Sequence, residues 1–482
     1  MSGSRVIAPG SQPAVVPGEA TRRYLRALAE RGREPVDWTA APPTYKRYRY
    51  AGRVVLPARE PSPHGDLLRG LLGVTRAEWS HRRVRLKRPA PSGGALYPIE
   101  AYVALGEPAG LYHYDAAHHA LDLIRPGDHR PLLHASLTRH SAGVPDVVVV
   151  LAAVFWRNGF KYKEFAYRLQ CQEVGVLSAQ ALALGERLDL DTAVHLRFDD
   201  AACQWLLGLD PTREGVLAAL TCTSGNAVPP GDPPRLPAAV EEHPPPSVVD
   251  RLPCLTALHA ASAAPHPGVL PVPRQASPGA VVRLPAARAV RVADALPLRA
   301  SPEAGFLPRH ITAEALATVL AHAAAGYPGD LPGSHDEPVT VAPYVIVQRV
   351  AGIPPGGYRY DRSTGALVAA GGTGDVLSGR LQPNTRLSLS EAAAVVVPVG
   401  DQTTGSATFG DRWYRLQQAE AGLVVHRATL AATACGLTAR IHSDGTNAST
   451  DAVLGLTGPL HALSFLLLGT PRPGVTVTGP LG

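Results

Sequence analysis

The sequence predicts an α+β fold in which two tandem units, each a mixed sheet flanked by long helices, press together as a pseudo-dimer within one chain. Three observations predict it. The first is a repeat: Tyr167-Arg168-Leu169-Gln170, followed by Glu173 and Gly175, returns as Tyr414-Arg415-Leu416-Gln417, followed by Glu420 and Gly422, at an offset of 247 residues. Gly110-Leu111-Tyr112-His113-Tyr114-Asp115 returns as Gly356-Gly357-Tyr358-Arg359-Tyr360-Asp361 at an offset of 246, and Leu207-Gly208-Leu209 as Leu454-Gly455-Leu456 at 247. Matches in one order at nearly one offset imply two copies of one domain. The second observation is length, since 482 residues exceed a single typical core. The third is a proline-rich stretch between the copies, with Pro229-Pro230, Pro233-Pro234 and Pro244-Pro245-Pro246.

The elements follow in order. Glu19 to Arg31 is a short basic helix candidate ahead of Pro-rich turns. Ile99 to Leu105 and Val147 to Val154 are apolar, β-rich runs bounded by Pro or Gly, and read as strands. Phe165 to Leu188 contains no Pro and sets Leu169, Val176 and Ala183 on one side, the pattern of a long core helix. The second copy repeats this with a strand at Val395 to Val399 and a helix from Arg412 to Cys435, stopped by Gly436. The segment between the copies should run over the surface as an extended connector that lets the second unit dock in a two-fold-related pose.

Composition narrows the function. With 45% hydrophobic and 18% charged residues the chain is that of a globular protein. It has no run of eighteen apolar residues and no Arg/Lys-then-apolar N-terminal signal, so the expectation is a cytoplasmic protein without a membrane span. The net charge of +6 is spread along the chain, which disfavours nucleic acid as a partner and suits a phosphorylated cofactor or an acidic partner. Cys171, Cys203, Cys222, Cys254 and Cys435 show no CxxC spacing and read as reduced, buried small residues. His118-His119 has no metal-ligand spacing, and Gly371-Gly372-Thr373-Gly374 lacks the Lys-Ser/Thr ending of a P-loop.

Two segments carry chemistry. In Pro91-Ser92-Gly93-Gly94-Ala95-Leu96-Tyr97-Pro98, two glycines after a serine let backbone approach a flat ring closely, with Ser Oγ and N–H groups as donors; the plain alternative is a surface turn. Lys161-Tyr162, just ahead of the long helix, would ordinarily be an exposed pair. Beside a cofactor they are two groups able to trade protons, with desolvation turning the lysine into a base.

PSGGALYP with Ile99-Glu100-Ala101-Tyr102, the GLYHYD segment, Lys161-Tyr162 and the helix with Tyr167, Glu173 and Gly175 together resemble the SagB-type azoline oxidases of the FMN-dependent nitroreductase superfamily. The resemblance covers residues 45 to 220 well and 280 to 470 more faintly. It implies two tandem nitroreductase-like domains, with an N-terminal extension at 1–40, a domain bearing the catalytic pair at 41–224, a Pro-rich connector at 225–290 and a degenerate domain at 291–482. It also implies FMN at the seam, Lys161 and Tyr162 as catalytic residues, and dehydrogenation of peptide thiazolines or oxazolines to azoles. The implied partners are an azoline-bearing peptide, ribosomal or carrier-bound, and a cyclodehydratase or synthetase module. In that family one subunit supplies the Ser-Gly loop and the other an Arg-x-Ser arm and a C-terminal basic residue for the phosphate.

The repeat tests this picture. Aligning Tyr344 on Tyr102 puts Ser334, His335 and Asp336 where Ser92, Gly93 and Gly94 stand, and at an offset of 247 Lys161-Tyr162 becomes Thr408-Phe409. Conversely, Leu298-Arg299-Ala300-Ser301 ahead of Phe306 resembles the phosphate arm, without its second arginine, and Arg472 follows the last apolar run. One working site is therefore expected: Pro91, Ser92, Gly93, Gly94, Lys161 and Tyr162 from the first copy, with Arg299, Ser301 and Arg472 from the second, whose forked guanidinium donors suit a phosphate. The other seam, with Arg59 and the Ser334-His335-Asp336 loop, should be inert. Glu173 and Glu420, present in both copies, read as serving packing or helix hydrogen bonds. Two further readings stay open: an NAD(P)H-dependent flavin reductase, and a non-catalytic peptide-binding partner.

Overall fold

The computed structural model describes residues 17–32, 35–49, 51–58, 60–79, 84–138, 143–225, 232–233, 239–263, 279–302, 305–474 and 477–481. Arg59, expected at the second seam, lies outside them. The first sheet runs in the order Arg53–Val55, Ala120–Pro126, Ala109–Asp115, Ile99–Gly106, Val147–Val154, Glu214–Thr223, Asp191–His195. In the second, Ala366–Ala369, Gly356–Asp361, Ala342–Val347, Ala394–Asp401, Leu466–Pro471 and Thr438–Ile441 follow one another in the same way. The sheets were expected to be mixed, but every pairing between the named strands is antiparallel. Consecutive strands such as Ile99–Gly106, Ala109–Asp115 and Ala120–Pro126 are joined by tight turns, which force each to reverse its neighbour.

Each sheet buries one face under a 23-residue helix, Ala166–Leu188 in the first copy and Arg412–Ala434 in the second. The two helices cross at glycine. A Cβ on Gly175 would overlap the Ala419 carbonyl, and one on Gly422 would overlap the Gln172 carbonyl. A shift of 247 residues turns Gly175 into Gly422 and Gln172 into Ala419, so each contact is the image of the other and the crossing is two-fold, as in an isologous dimer. Polar pairs repeat the symmetry. Gln172 Nε2 donates to Gln418 Oε1 at 2.7 Å, Arg168 Nη2 reaches the Leu463 carbonyl at 2.5 Å, and its counterpart Arg415 Nη1 reaches the Val216 carbonyl at 3.3 Å.

Segments outside the repeat tie the halves together. Tyr24, on the helix Glu19–Ala29, is fully buried between the rings of Tyr167 and Tyr414, with centroids 6.1 and 5.2 Å away. The stretch between the copies does not simply run over the surface. It forms the helix Pro253–Ala261, whose Leu255 and Leu258 join the first copy's core. No apolar period there is long enough to mark a helix. Glu164 makes it possible by accepting from the Cys254 and Leu255 amides at 3.0 and 2.7 Å. At the other end of the chain, Val477–Pro480 returns to pair with Arg76–Trp79 of the first copy. Among the described residues no helix is long and apolar enough to cross a membrane, and the five cysteines are free.

The helix crossing allows no side chain at its two glycines. Gly175→Ala should therefore lower unfolding free energy by about 2–3 kcal/mol, and Gly422→Ala by a similar amount. Gly32→Ala, where a new Cβ meets nothing within 4 Å, should leave it unchanged. Denaturant melts of the three variants check this.

Candidate functional site

Lys161 and Tyr162, read from sequence as lying just ahead of the long helix, occupy the last turn of a short helix that precedes it, Phe155–Tyr162. That helix ends on Lys163, whose backbone adopts φ 53° and ψ −141°. The second copy makes the same turn at Gly410, φ 52° and ψ −144°. A glycine tolerates this geometry and a lysine is strained by it, so the first copy stores strain directly beside the pair.

The loop after Pro91 rests on those two side chains. Gly94 has φ 68°, and a Cβ there would lie 2.6 Å from Tyr162 Oη and 3.0 Å from Lys161 Nζ. Ala95 and Tyr97 also have positive φ, 55° and 49°, so the loop is held in a costly shape. Lys161 Nζ lies 4.9 Å from the Tyr162 ring centroid and 5.5 Å from that of Trp38, a cation between two aromatic faces. Lys161 and Tyr162 are half-buried, so the desolvation expected around the lysine is partial.

Ser92 was expected to offer its hydroxyl outward. Its Oγ instead donates to Glu173 Oε2 at 2.7 Å and accepts from the Tyr97 amide at 2.9 Å, while the Gly93 amide donates to the same carboxylate at 3.4 Å. Glu173, read from sequence as serving packing or helix hydrogen bonds, is therefore the strut that fixes this loop. Burial pushes its carboxyl up to about 7, against the lowering effect of its Ser92 and Gly93 hydrogen bonds and of Arg88 and Arg157. Trp38, from the N-terminal extension, is the other site residue that sequence reasoning missed.

From the second copy, Arg299 reaches the loop: it is buried, and its Nε donates to the Pro89 carbonyl at 2.8 Å. Burial lowers its guanidinium to about 10. Ser301 is exposed, and Arg472 is spent on the Phe306 carbonyl and on Glu391 at 2.6 Å. Among the described residues no hydrogen bond or ion pair joins Ser301 or Arg472 to the first copy. The structure thus gathers Pro91 to Gly94, Lys161, Tyr162 and Arg299, and leaves Ser301 and Arg472 on the second sheet's margin.

The second copy corrects the expected loop equivalence. Glu420, the counterpart of Glu173, accepts from the Val339 amide at 2.7 Å, from the Thr340 amide, and from Thr340 Oγ1 at 2.5 Å. Val339 and Thr340 therefore stand where Ser92 and Gly93 stand, and not Ser334-His335-Asp336. From Thr340 to Tyr344 is five residues shorter than from Gly93 to its strand equivalent Tyr102. The glycine turn that meets Lys161 and Tyr162 has no counterpart. Asp330 instead closes onto the first copy, its carboxylate accepting from the Leu196 and Arg197 amides at 3.1 and 2.7 Å. Phe409, at the position of Tyr162, is fully buried.

Comparisons with known proteins agree with this architecture. The family model described as "Nitroreductase family" matches residues 66–225, so the chain carries a nitroreductase-family domain, in keeping with the resemblance drawn from its loop and Lys-Tyr pair. The trifolitoxin-processing protein TfxB of Rhizobium leguminosarum bv. trifolii is 31% identical over 144 residues, covering 28% of this chain and 39% of that protein. The microcin B17-processing protein McbC of Escherichia coli is 30% identical over 135 residues, covering 26% of this chain and 50% of that protein. The chain thus spans half or less of the length of these relatives. A solved structure from Anabaena variabilis, described as a nitroreductase, superposes with a TM-score of 0.74 at 22% identity, over 94% of this chain and 99% of that one, which establishes the two-unit fold.

Two measurements probe the loop and its turn. Lys163→Gly relieves the left-handed strain on an exposed residue and should stabilise the protein by about 1 kcal/mol, read by denaturant melting. Because the folded carboxyl of Glu173 titrates near 7 and the ordinary value is 4.5, its contribution to stability is fully present below about pH 4.5 and lost as pH rises through about 7. Glu173→Gln removes that loss, of order 3 kcal/mol. Its melting temperature should therefore fall less than the parent's across that interval.

Proposed function

We propose that this chain is an FMN-dependent oxidoreductase that dehydrogenates thiazoline or oxazoline rings in a peptide to thiazoles or oxazoles. One observation carries the reading: a glycine turn that sets backbone directly against a lysine amino group and a tyrosine hydroxyl. The residues suit FMN. A flat ring needs accessible backbone, which the exposed Gly94 offers beside Lys161 and Tyr162, and the buried Arg88 beside the loop keeps Nη1 without a hydrogen-bond partner. Arg299 would bring positive charge from the other half of the chain. Ser301 and Arg472 would join it at the phosphate only by exchanging their present surroundings. The family match and the two processing proteins support a redox role on a peptide natural product, with a cyclodehydratase or synthetase as the source of the substrate.

FMN, when bound, would supply a two-electron acceptor for the hydride of one ring carbon, with O₂ as the terminal oxidant. The chain's own residues handle the rest. Lys161, as the free amine, takes the proton from the neighbouring carbon, and Tyr162 orients it or shares that proton through its hydroxyl. Trp38 flanks the lysine, its ring centroid 5.5 Å from Nζ. Glu173 keeps the glycine turn in register with the pair without touching either side chain.

Incubation of the FMN-loaded protein with an azoline-containing peptide should lower the peptide's mass by two hydrogens. Lys161→Ala should retain the yellow flavin band while turnover falls by about 10²–10⁴-fold. Normal turnover in that variant would remove Lys161 from the reaction. Rapid bleaching of the flavin by NADPH, with no change in the azoline peptide, would instead identify a flavin reductase.

A further inference from the structure

A cleft opens along the helix that carries Lys161 and Tyr162, walled in part by the segments that flank the first copy. The segment ahead of the first sheet and the segment that follows it are zipped together, Tyr48 opposite Glu241 and Arg49 opposite Val240. Lys46 locks this junction through ion pairs to Glu214 and, at 3.1 Å, to Glu241. Between them lies a cleft of about 350 Å³ whose walls include Tyr45, Arg47, Trp156, Arg157, Pro245 and Arg251.

The cleft and the catalytic pair share one helix, since Trp156 and Arg157 stand about a turn and a half before Lys161 and Tyr162. Trp156 Nε1 holds the intervening wall by donating to the Ala40 carbonyl at 2.9 Å, two residues from the Trp38 that flanks Lys161. The charge of the cleft is unbalanced. Glu241 is neutralised by Lys46, and Arg157 by Glu100 at 2.8 Å, yet the buried Arg157 keeps Nε without a partner. Arg47 and Arg251 are exposed and form no ion pair among the described residues, and Arg251 lies over the Trp156 ring at 4.9 Å. Two free guanidiniums and an unsatisfied buried donor, set among aromatic and proline surfaces, fit a carboxylate-bearing extended chain.

We propose that this cleft docks an acidic, extended stretch of the peptide whose ring is presented to Lys161 and Tyr162, an inference that rests on the function proposed above. Its chemistry is guanidinium to carboxylate, with the peptide's apolar side chains against Trp156, Tyr45 and the proline wall. Calorimetric titration of the FMN-loaded protein with two short blocked peptides tests it. Both lack any azoline; one carries aspartates interspersed with prolines, and in the other each aspartate is asparagine. The aspartate peptide should bind about tenfold more tightly or better at low salt. The double variant Arg47→Glu/Arg251→Glu, at two exposed positions, should abolish that preference without loss of flavin, and Lys161→Ala should keep it. Equal affinity for the two peptides, or a preference that survives the double variant, would overturn the proposal. The readout is heat and not turnover. A protein that shows the preference but fails to oxidise azolines keeps the cleft and loses the reaction, whereas one that oxidises azolines without the preference keeps the reaction and loses the cleft.

Discussion

The contact on which this molecule depends is the crossing of two helix backbones at Gly175 and Gly422. Each glycine lets the opposite helix approach until its carbonyl occupies the space a side chain would fill. That closeness seats Trp413, Leu416 and Leu423 of the second copy's helix in the first copy's apolar core, and it carries Arg299 of the second copy to the Pro89 carbonyl of the first. A looser crossing would separate the cation from the loop it approaches. The symmetry also means that any groove made on one side of the axis is made in outline on the other, so a single working site requires the two sides to have diverged.

The divergence is economical. The same buried glutamate is used twice, once to hold Ser92 and Gly93 and once to hold Val339 and Thr340. The struts were kept because an unpaired buried carboxyl is costly in either copy. What went was the stretch between strut and strand, which in the first copy is the left-handed turn over Lys161 and Tyr162. Asp330 then fills the other side, meeting two amides at the end of the first copy's Asp191–His195 strand. Strain follows the same division, with Lys163 where the quiet copy has Gly410.

Much of this was legible in the sequence, for definite reasons. The repeat, the strands around Ile99–Gly106 and Val147–Val154 and the two long helices are written in apolar periodicity and in identities preserved at one offset. The loop and the Lys-Tyr pair stood out because glycine pairs and lone basic residues are locally conspicuous. The role of Glu173 was hidden because its meaning lies in a partner 81 residues away, and its recurrence as Glu420 pointed toward packing. The loop equivalence went astray because a strand-based offset was carried across a five-residue shortening. Strand directions and the buried connector helix were not readable either. The first depends on which turns are tight, and the second on a cap donated by Glu164 from another element.

The chain is a two-fold scaffold in which one side sets a glycine turn against Lys161 and Tyr162, and the other sets Asp330 against the Leu196 and Arg197 amides. The most direct measurement is a crystal structure of the FMN-loaded protein. A single flavin against Gly93 and Gly94, within reach of Lys161 and Tyr162 and with Arg299 toward its phosphate, is the predicted result. Flavin density at the Asp330 side, or a ring lodged away from the Lys161–Tyr162 pair, would contradict it.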